Sequence, residues 1–328
     1  MRLLKLVPDN TNIHFLRWRV PFYVVSIFLM VASVALAFTN GLNLGVDFIG
    51  GQTIRVTFVD SATAPIAQVR EEIDQLDYGE PIIQQVGAPN KIAIRMKLPD
   101  AEDTSLTDQM VREIRGVIEE NHPDARIDGV ESVSGKVSDE LFRSGMIALG
   151  LAMLGISIYI WMRFEWQFGV GALFALVHDV TLTVGLFALT QMEFDLNIVA
   201  ALLTLIGYSL NDNIVVYDRV RENMKKYRKM PLPELLDLSV NETLSRTVVT
   251  SGSVLITLFA LLLLGPDVIF GFTAAITFGI FVGTYSSIFM STPILIWLGV
   301  RSDSFVPTET ALERQERIAR GGPAEIES

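Results

Sequence analysis

The sequence predicts a polytopic α-helical membrane protein with six transmembrane helices and one ferredoxin-like α+β domain between the first two. Three observations predict it. Half of the 328 residues are apolar and the mean hydropathy is +0.41, too hydrophobic for an ordinary soluble chain of this size. Six stretches reach the roughly 20 mostly apolar residues that a spanning helix needs. Between the first two lies a hydrophilic segment, residues 43–140, with 19 Asp/Glu against 9 Lys/Arg, which holds nearly all of the net charge of −11.

The spans are expected over Val20–Phe38, Leu141–Met162, Phe168–Thr190, Asn197–Tyr217, Thr247–Leu264 and Ile269–Leu298. The first has a second reading. Arg17 and Arg19 precede it, and Ala35-Leu36-Ala37 looks like a cleavage site, as in a signal peptide. Its apolar run exceeds the roughly 7–15 residues of a signal core, which favours an uncleaved span. The sixth span carries Gly271, Gly279, Gly283 and Pro293, which leave it open to tilt or break.

Positive charge sets orientation. Basic residues gather before the first span (Arg2, Lys5, Arg17, Arg19), after the fourth (Arg219, Arg221, Lys225, Lys226, Arg228, Lys229, Arg246) and in the tail (Arg301, Arg314, Arg317, Arg320). The short loops 191–196 and 265–268 carry none. Both termini are therefore expected in the cytoplasm and the acidic segment outside. The expected division is a cytoplasmic segment 1–19, a first span 20–42, an outside domain 43–140, a bundle 141–300 with a cytoplasmic loop 218–246, and a disordered cytoplasmic tail 301–328.

The outside domain reads βαββαβ, the ferredoxin-like order. Thr53–Val59, Ile82–Val86, Lys91–Leu98 and Ala125–Val133 have strand patterns. Pro65 opens a helix with Ile66, Val69, Ile73 and Leu76 on one face. Ser105 or Thr107 is positioned to cap a second, with Met110, Val111, Ile114, Val117 and Ile118 facing inward. The fold hosts many functions and names none. Ahead of it stands Gly45-Val46-Asp47-Phe48-Ile49-Gly50-Gly51, whose paired glycines suggest a sharp exit from the membrane into the first strand.

Function is sought where polar residues are expensive. An ionisable group inside a span costs about 2.5–3.5 kcal/mol on insertion scales. His178-Asp179 sits near the middle of the third span and Asn211-Asp212-Asn213 in the inner half of the fourth; Arg246 opens the fifth. Along the fourth span, Ala200, Ala201, Thr204, Gly207, Tyr208, Asn211, Asp212 and Val215 form one small and polar stripe, which should face protein or water and not lipid. Asp212 is either a structural hydrogen-bonding group or a carboxylate that loads and releases a proton. Asp179 has His178 beside it as a ready partner, which favours structure. Arg246 is either a partner of the carboxylate or only a topology signal.

Other chemistries find little support. There is no cysteine, and His14, His122 and His178 have no metal-ligand spacing, so no metal or cofactor is expected. The negative charge argues against nucleic acid. No GxSxG, HExxH or P-loop is present. An intramembrane hydrolase would need Ser209 and His178 to meet, which no spacing demands.

The motifs GVDFIGG (Gly45–Gly51), VHDV (Val177–Val180), the run GYSLNDNIVVYDRVREN (Gly207–Asn223) and LSRT (Leu244–Thr247) span most of the chain. On these the sequence resembles the SecF subunits of the bacterial SecDF protein-export complex. The GYSxND…DRxREN run is the specific one; the GxDFxGG and HDV motifs are similar in SecD. Asn213 stands where Thr is usual. SecD-type chains have a much larger periplasmic region, so the length favours SecF and not a fused SecDF. The resemblance implies half of an RND-superfamily transporter, with six spans and a periplasmic domain between the first two. It implies an inner-membrane, non-enzymatic translocase subunit. This would pair with SecD, through it with SecYEG and YajC, and would use the proton-motive force to assist export of unfolded preproteins. It implies Asp212 as the proton-relay carboxylate, Arg246 as its partner and Asp179 in support, with Asn211, Tyr208, Thr204 and His178 as the surrounding polar stripe and Asp47, Gly50 and Gly51 as the periplasmic-side motif. The competing classes are an RND-like small-solute exporter, disfavoured by the single small outside domain, and a structural scaffold for translocase assembly.

Overall fold

In the structure, a computed structural model, residues 8, 11–97 and 104–300 are described. The tail 301–328 and the first residues of the 1–19 segment lie outside them. Among the described residues, six helices are long and apolar enough to cross a membrane. The first is Arg19–Thr39, led by a 3-10 turn Phe15–Trp18. The others are Gly135–Arg163, Trp166–Thr190, Leu196–Lys226, Leu232–Leu264 and the sixth, built as Phe270–Ser286 and Thr292–Trp297. In lipid the backbone must satisfy its own polar groups, and unbroken helices do so.

The third, fourth and sixth spans are the inner ones, with 56%, 50% and 44% of their apolar windows buried against 11% for the other three. Two apolar clusters fill the bundle. One gathers Phe168, Tyr217, Val220, Leu236 and Leu295; the other gathers Phe187, Ile198, Leu205, Ala275 and Ile280. Close approach depends on small residues. A Cβ on Gly279 would stand 2.6 Å from the Leu205 side chain.

One expectation needs correction, and one left open is decided. The segment 218–246, expected as a loop, is helical on both sides of a short turn at 227–231, because the fourth and fifth helices run on beyond their apolar stretches. Ion pairs such as Arg219–Glu242 (2.7 Å) tie these extensions together, and Leu16 N donates to Asp237 Oδ1, docking the start of the chain on them. The sixth span is interrupted by a π-helical turn, Ser287–Ser291. Pro293 lacks the N–H that an α-helix would offer residue 289 and its ring crowds that carbonyl; an inserted residue relieves both.

The domain between the first two spans has strands β1 (Gly51–Phe58), β2 (Ile82–Gln85), β3 (Lys91–Met96) and β4 (Ala125–Val133), in the order β2-β3-β1-β4 with every pair antiparallel. With helices Ile66–Asp74 and Thr104–Asn121 this is the ferredoxin-like topology. The second helix begins before Ser105 and Thr107, so neither caps it; the cap lies outside the described residues. Strand alternation sorts the two faces. Ile54, Val56, Phe58, Ile92, Ile94 and Met96 meet Val69, Ile73, Met110, Ile114 and Ile118 in a dry core. The opposite face carries Thr53, Arg55, Thr57, Lys91 and Arg95 and turns toward the bundle: Lys91 pairs with Asp267 in the fifth–sixth turn, and Arg95 lies 3.7 Å from Glu193 in the third–fourth turn.

A core of this kind should stand alone. Residues 50–134 expressed as a fragment should give a dispersed amide NMR spectrum, and Ile114→Ala in it should cost about 2–5 kcal/mol in denaturant unfolding, the range for truncating a fully buried aliphatic side chain. A collapsed spectrum of the unsubstituted fragment would count against an independent core.

Candidate functional site

The polar centre lies between the two apolar clusters, where the third, fourth, fifth and sixth spans meet. His178 and Asp179 are fully buried and Asp212 is 8% exposed. Asp179 is held from three helices. His178 Nδ1 is 2.9 Å from its Oδ1, and Ser209 Oγ and Ser286 Oγ donate to its Oδ2 at 2.6 and 2.9 Å. Asp212 accepts from Thr247 Oγ1 of the fifth span at 2.9 Å and from Ser287 Oγ of the sixth at 3.0 Å. Beside them Tyr208 OH reaches Ser251 Oγ, which also receives Thr284 Oγ1. Gly283 leaves the space: a Cβ there would meet Ser209 and Asp179 at 3.3–3.4 Å.

Arg246 is exposed, and among the described residues it forms no ion pair; it adjoins Thr247, whose hydroxyl binds Asp212. The structure therefore brings Asp179, His178 and Asp212 into one centre and leaves Arg246 at its margin. Ser209 and His178 both reach Asp179, on different oxygens. Asp179 therefore lies between them, and a nucleophile–base contact of the hydrolase kind is not formed.

The stripe on the fourth span divides. Ala201 and Asp212 are buried, but Ala200, Thr204, Gly207 and Asn211 face out of this chain. Leu202, Leu205, Ile206 and Leu210, outside that stripe, fill the interior. In lipid, leucine gains as much from packing inward as from facing outward, so polarity alone does not mark the inner face. The hydroxyls of Thr247, Ser251, Ser286 and Ser287 escaped the sequence reading, and Ser209 entered it only as a hydrolase nucleophile. Adjacent serines in an otherwise apolar span were the available signal.

The GVDFIGG segment acts at the other end of the fourth span. Asp47 Oδ2 accepts from Leu196 N at 3.0 Å, and Asp195 caps the same helix through Ile198 N at 3.1 Å. Gly45 N donates to Phe194 O and Phe194 N to Asn43 O. Arg95, 3% exposed, binds Asn43 Oδ1, Leu44 O and Gln84 Oε1 at 2.9, 3.0 and 2.6 Å. Burial pushes the Glu193 carboxyl up from the ordinary value, opposed by Arg95 and Arg55, and burial pushes Asp195 up likewise. Gly50 (φ +68°) and Gly51 (φ +125°) make the bend into β1, and a Cβ on Gly51 would stand 2.4 Å from Met96 O.

Among the described residues no group of His, Asp and Glu could hold a metal ion. Fold and centre together define a multi-pass membrane protein whose inner helices meet around two buried carboxylates. The family described as protein export membrane protein SecD/SecF, C-terminal, matches residues 113–301, and the SecD/SecF GG motif matches residues 35–62. The chain is 46% identical to protein translocase subunit SecF of Cereibacter sphaeroides over 90% of this chain and 93% of that one. It is 38% identical to SecF of Vibrio alginolyticus over 96% and 98%. The crystal structure of SecDF, a translocon-associated membrane protein from Thermus thermophilus, superposes with a TM-score of 0.81 at 32% identity, covering 88% of this chain and 39% of that one. This chain thus spans about two fifths of the solved SecDF chain. It belongs to the SecD/SecF family and matches the SecF subunits along nearly their whole length.

Gly51→Ala in the full chain should lower the thermal unfolding midpoint, costing about 1–3 kcal/mol, since the strained φ and the Met96 carbonyl both resist a methyl. Gly116→Ala, in the helix Thr104–Asn121 with open space around it, should be neutral or stabilising by up to about 1 kcal/mol. Equal effects at the two positions would refute the steric account of the motif.

Proposed function

We propose that this chain works with SecD, using the proton-motive force to assist export of unfolded proteins across the inner membrane. As a SecF-type chain it is an accessory membrane subunit of the Sec protein translocase; the proton coupling and the residues that perform it are the proposal. One observation carries it: Asp212, buried at the meeting of three spans, is held by neutral hydroxyls and has a cation near but not upon it. Hydroxyls donate to a carboxylate or accept from a carboxylic acid, so the site suits both protonation states. An arginine that approaches would favour the ionised form, and one that withdraws would release it to take a proton. Asp179 supports this centre through Ser209 and the sixth span, and Tyr208 borders it.

The arrangement of the whole follows from basic residues in short loops: both termini cytoplasmic, the ferredoxin-like domain in the periplasm, residues 218–246 inside. SecD fits the outward face of the fourth span, where Ala200, Thr204, Gly207 and Asn211 expose small and polar groups unsuited to lipid. SecYEG, YajC and the translocating preprotein are the further partners in this reading. The Asp47 cap and the Arg95 contacts supply a mechanical path between periplasmic domain and fourth span.

Asp212→Asn should leave the chain assembled with SecD and abolish gradient-dependent stimulation, because an amide keeps size and hydrogen bonding but exchanges no proton. Arg246→Met should impair stimulation as well; Arg246→Lys should retain part, since charge survives without the guanidinium fork. The measurement is completion of preprotein translocation into vesicles with and without a proton gradient. Full stimulation in Asp212→Asn would make Asp212 a packing residue and favour the scaffold role. Tags near Arg228 should report cytoplasm and tags near Gly79 periplasm; a periplasmic signal at Arg228 would overturn the orientation.

A further inference from the structure

Ser286 and Ser287 are neighbours in the sixth span, yet their hydroxyls meet carboxylates on two other helices. Ser286 Oγ lies 2.9 Å from Asp179 Oδ2, and Ser287 Oγ 3.0 Å from Asp212 Oδ2. Side chains one residue apart diverge around a helix, so a single element wedged against the third and fourth spans reaches both. The π-helical turn begins at Ser287, whose carbonyl receives the hydroxyls of Ser291 and Thr292 at 3.0 and 2.9 Å.

Each serine has a second acceptor on its own helix: Gly283 O for Ser286 at 3.1 Å and Thr284 O for Ser287 at 3.0 Å. A hydroxyl holds one proton to donate and lone pairs to accept. Facing an ionised carboxylate it donates to the carboxylate. Facing a carboxylic acid it accepts the acid's proton in a hydrogen bond and turns its own toward the backbone carbonyl. Neither serine hydroxyl is left unpaired in either state. Thr247 and Ser209, the other hydroxyls on these carboxylates, have no second acceptor among the described residues.

We propose that Ser286 and Ser287 are paired positioning residues, reorienting as Asp179 and Asp212 gain or lose a proton and joining the two carboxylates into one site through a single helix. The proposal deepens the proton-carrier reading and rests on it. Each serine keeps its own proton throughout; the one gained or lost by the carboxyl is supplied or taken by the gradient. The other groups around the pair are His178 beside Asp179, with the Tyr285 ring 6.1 Å from the imidazole, Tyr208 on the Asp212 side and Arg246 at the margin.

The test uses the full chain assembled with SecD in membranes, with Ser286→Ala, Ser287→Ala, the double variant and the two Ser→Thr variants. Infrared titration of the carboxyl bands, assigned with Asp179→Asn and Asp212→Asn, reads each carboxyl directly. The hydroxyl's bond to the ionised carboxylate is stronger than its bond to the neutral acid, so losing both should raise the titration of the facing carboxyl by about one pH unit. Ser→Thr, which keeps the hydroxyl, should restore it, and the double variant should displace both. The pH profile of gradient-driven translocation should move with the bands. Alanine variants that titrate like the parent overturn the proposal, and so does a displacement that threonine fails to restore. Because the bands are read without translocation, persistence of stimulation in Asp212→Asn would sink the proton-carrier reading separately.

Discussion

A carboxylate withdrawn from water inside a membrane is tolerable only if its oxygens find donors, and the bundle is organised around meeting that demand twice. Asp179 and Asp212 sit in a polar layer with apolar clusters on either side, so there is little water to share the task. The donors are mostly hydroxyls, drawn for each carboxylate from two other spans. Each hydroxyl needs its helix close, and the glycines at 279 and 283 let the sixth span come near enough. The inner position of the third, fourth and sixth spans is thus the packing counterpart of the same demand. A lysine or arginine in direct contact would have satisfied the oxygens more strongly, but it would also have fixed their charge.

The second organising contact is remote from the first. Asp47 caps the helix that carries Asp212, while Arg95 ties the sheet to the strand-like stretch just before Asp47. The ferredoxin-like domain is therefore hydrogen-bonded to the segment that binds the end of a spanning helix.

Much of this was legible in the sequence. The domain was readable because period-two and helical apolar patterns were sharp, and the last strand stands at the expected Ala125–Val133. Spans were readable because length and hydropathy leave few alternatives. Helix ends were less so: amphipathic extensions such as those before Leu232–Leu264 becomes apolar look like loop on a hydropathy scale. In the site, ionisable residues stood out by their cost, but Ser286, Ser287 and Thr247 did not, because serine and threonine are cheap in spans by bonding their own helix. Which face of the fourth span looks inward was also hidden, since lipid and protein interior are alike to leucine. Arg246 was readable as a nearby charge but not as one standing off.

Asp47 lies 149 positions before the fourth-span amide it receives. A chain growing at roughly 5–20 residues per second needs on the order of ten to thirty seconds to synthesise that interval. During this time Asp47 and the folded domain after it are already made while their docking site does not exist. The first two helices and the domain must therefore wait as a half-assembled unit. The closing of that one hydrogen bond then reports that the third and fourth spans have arrived, in the right order and at the right depth.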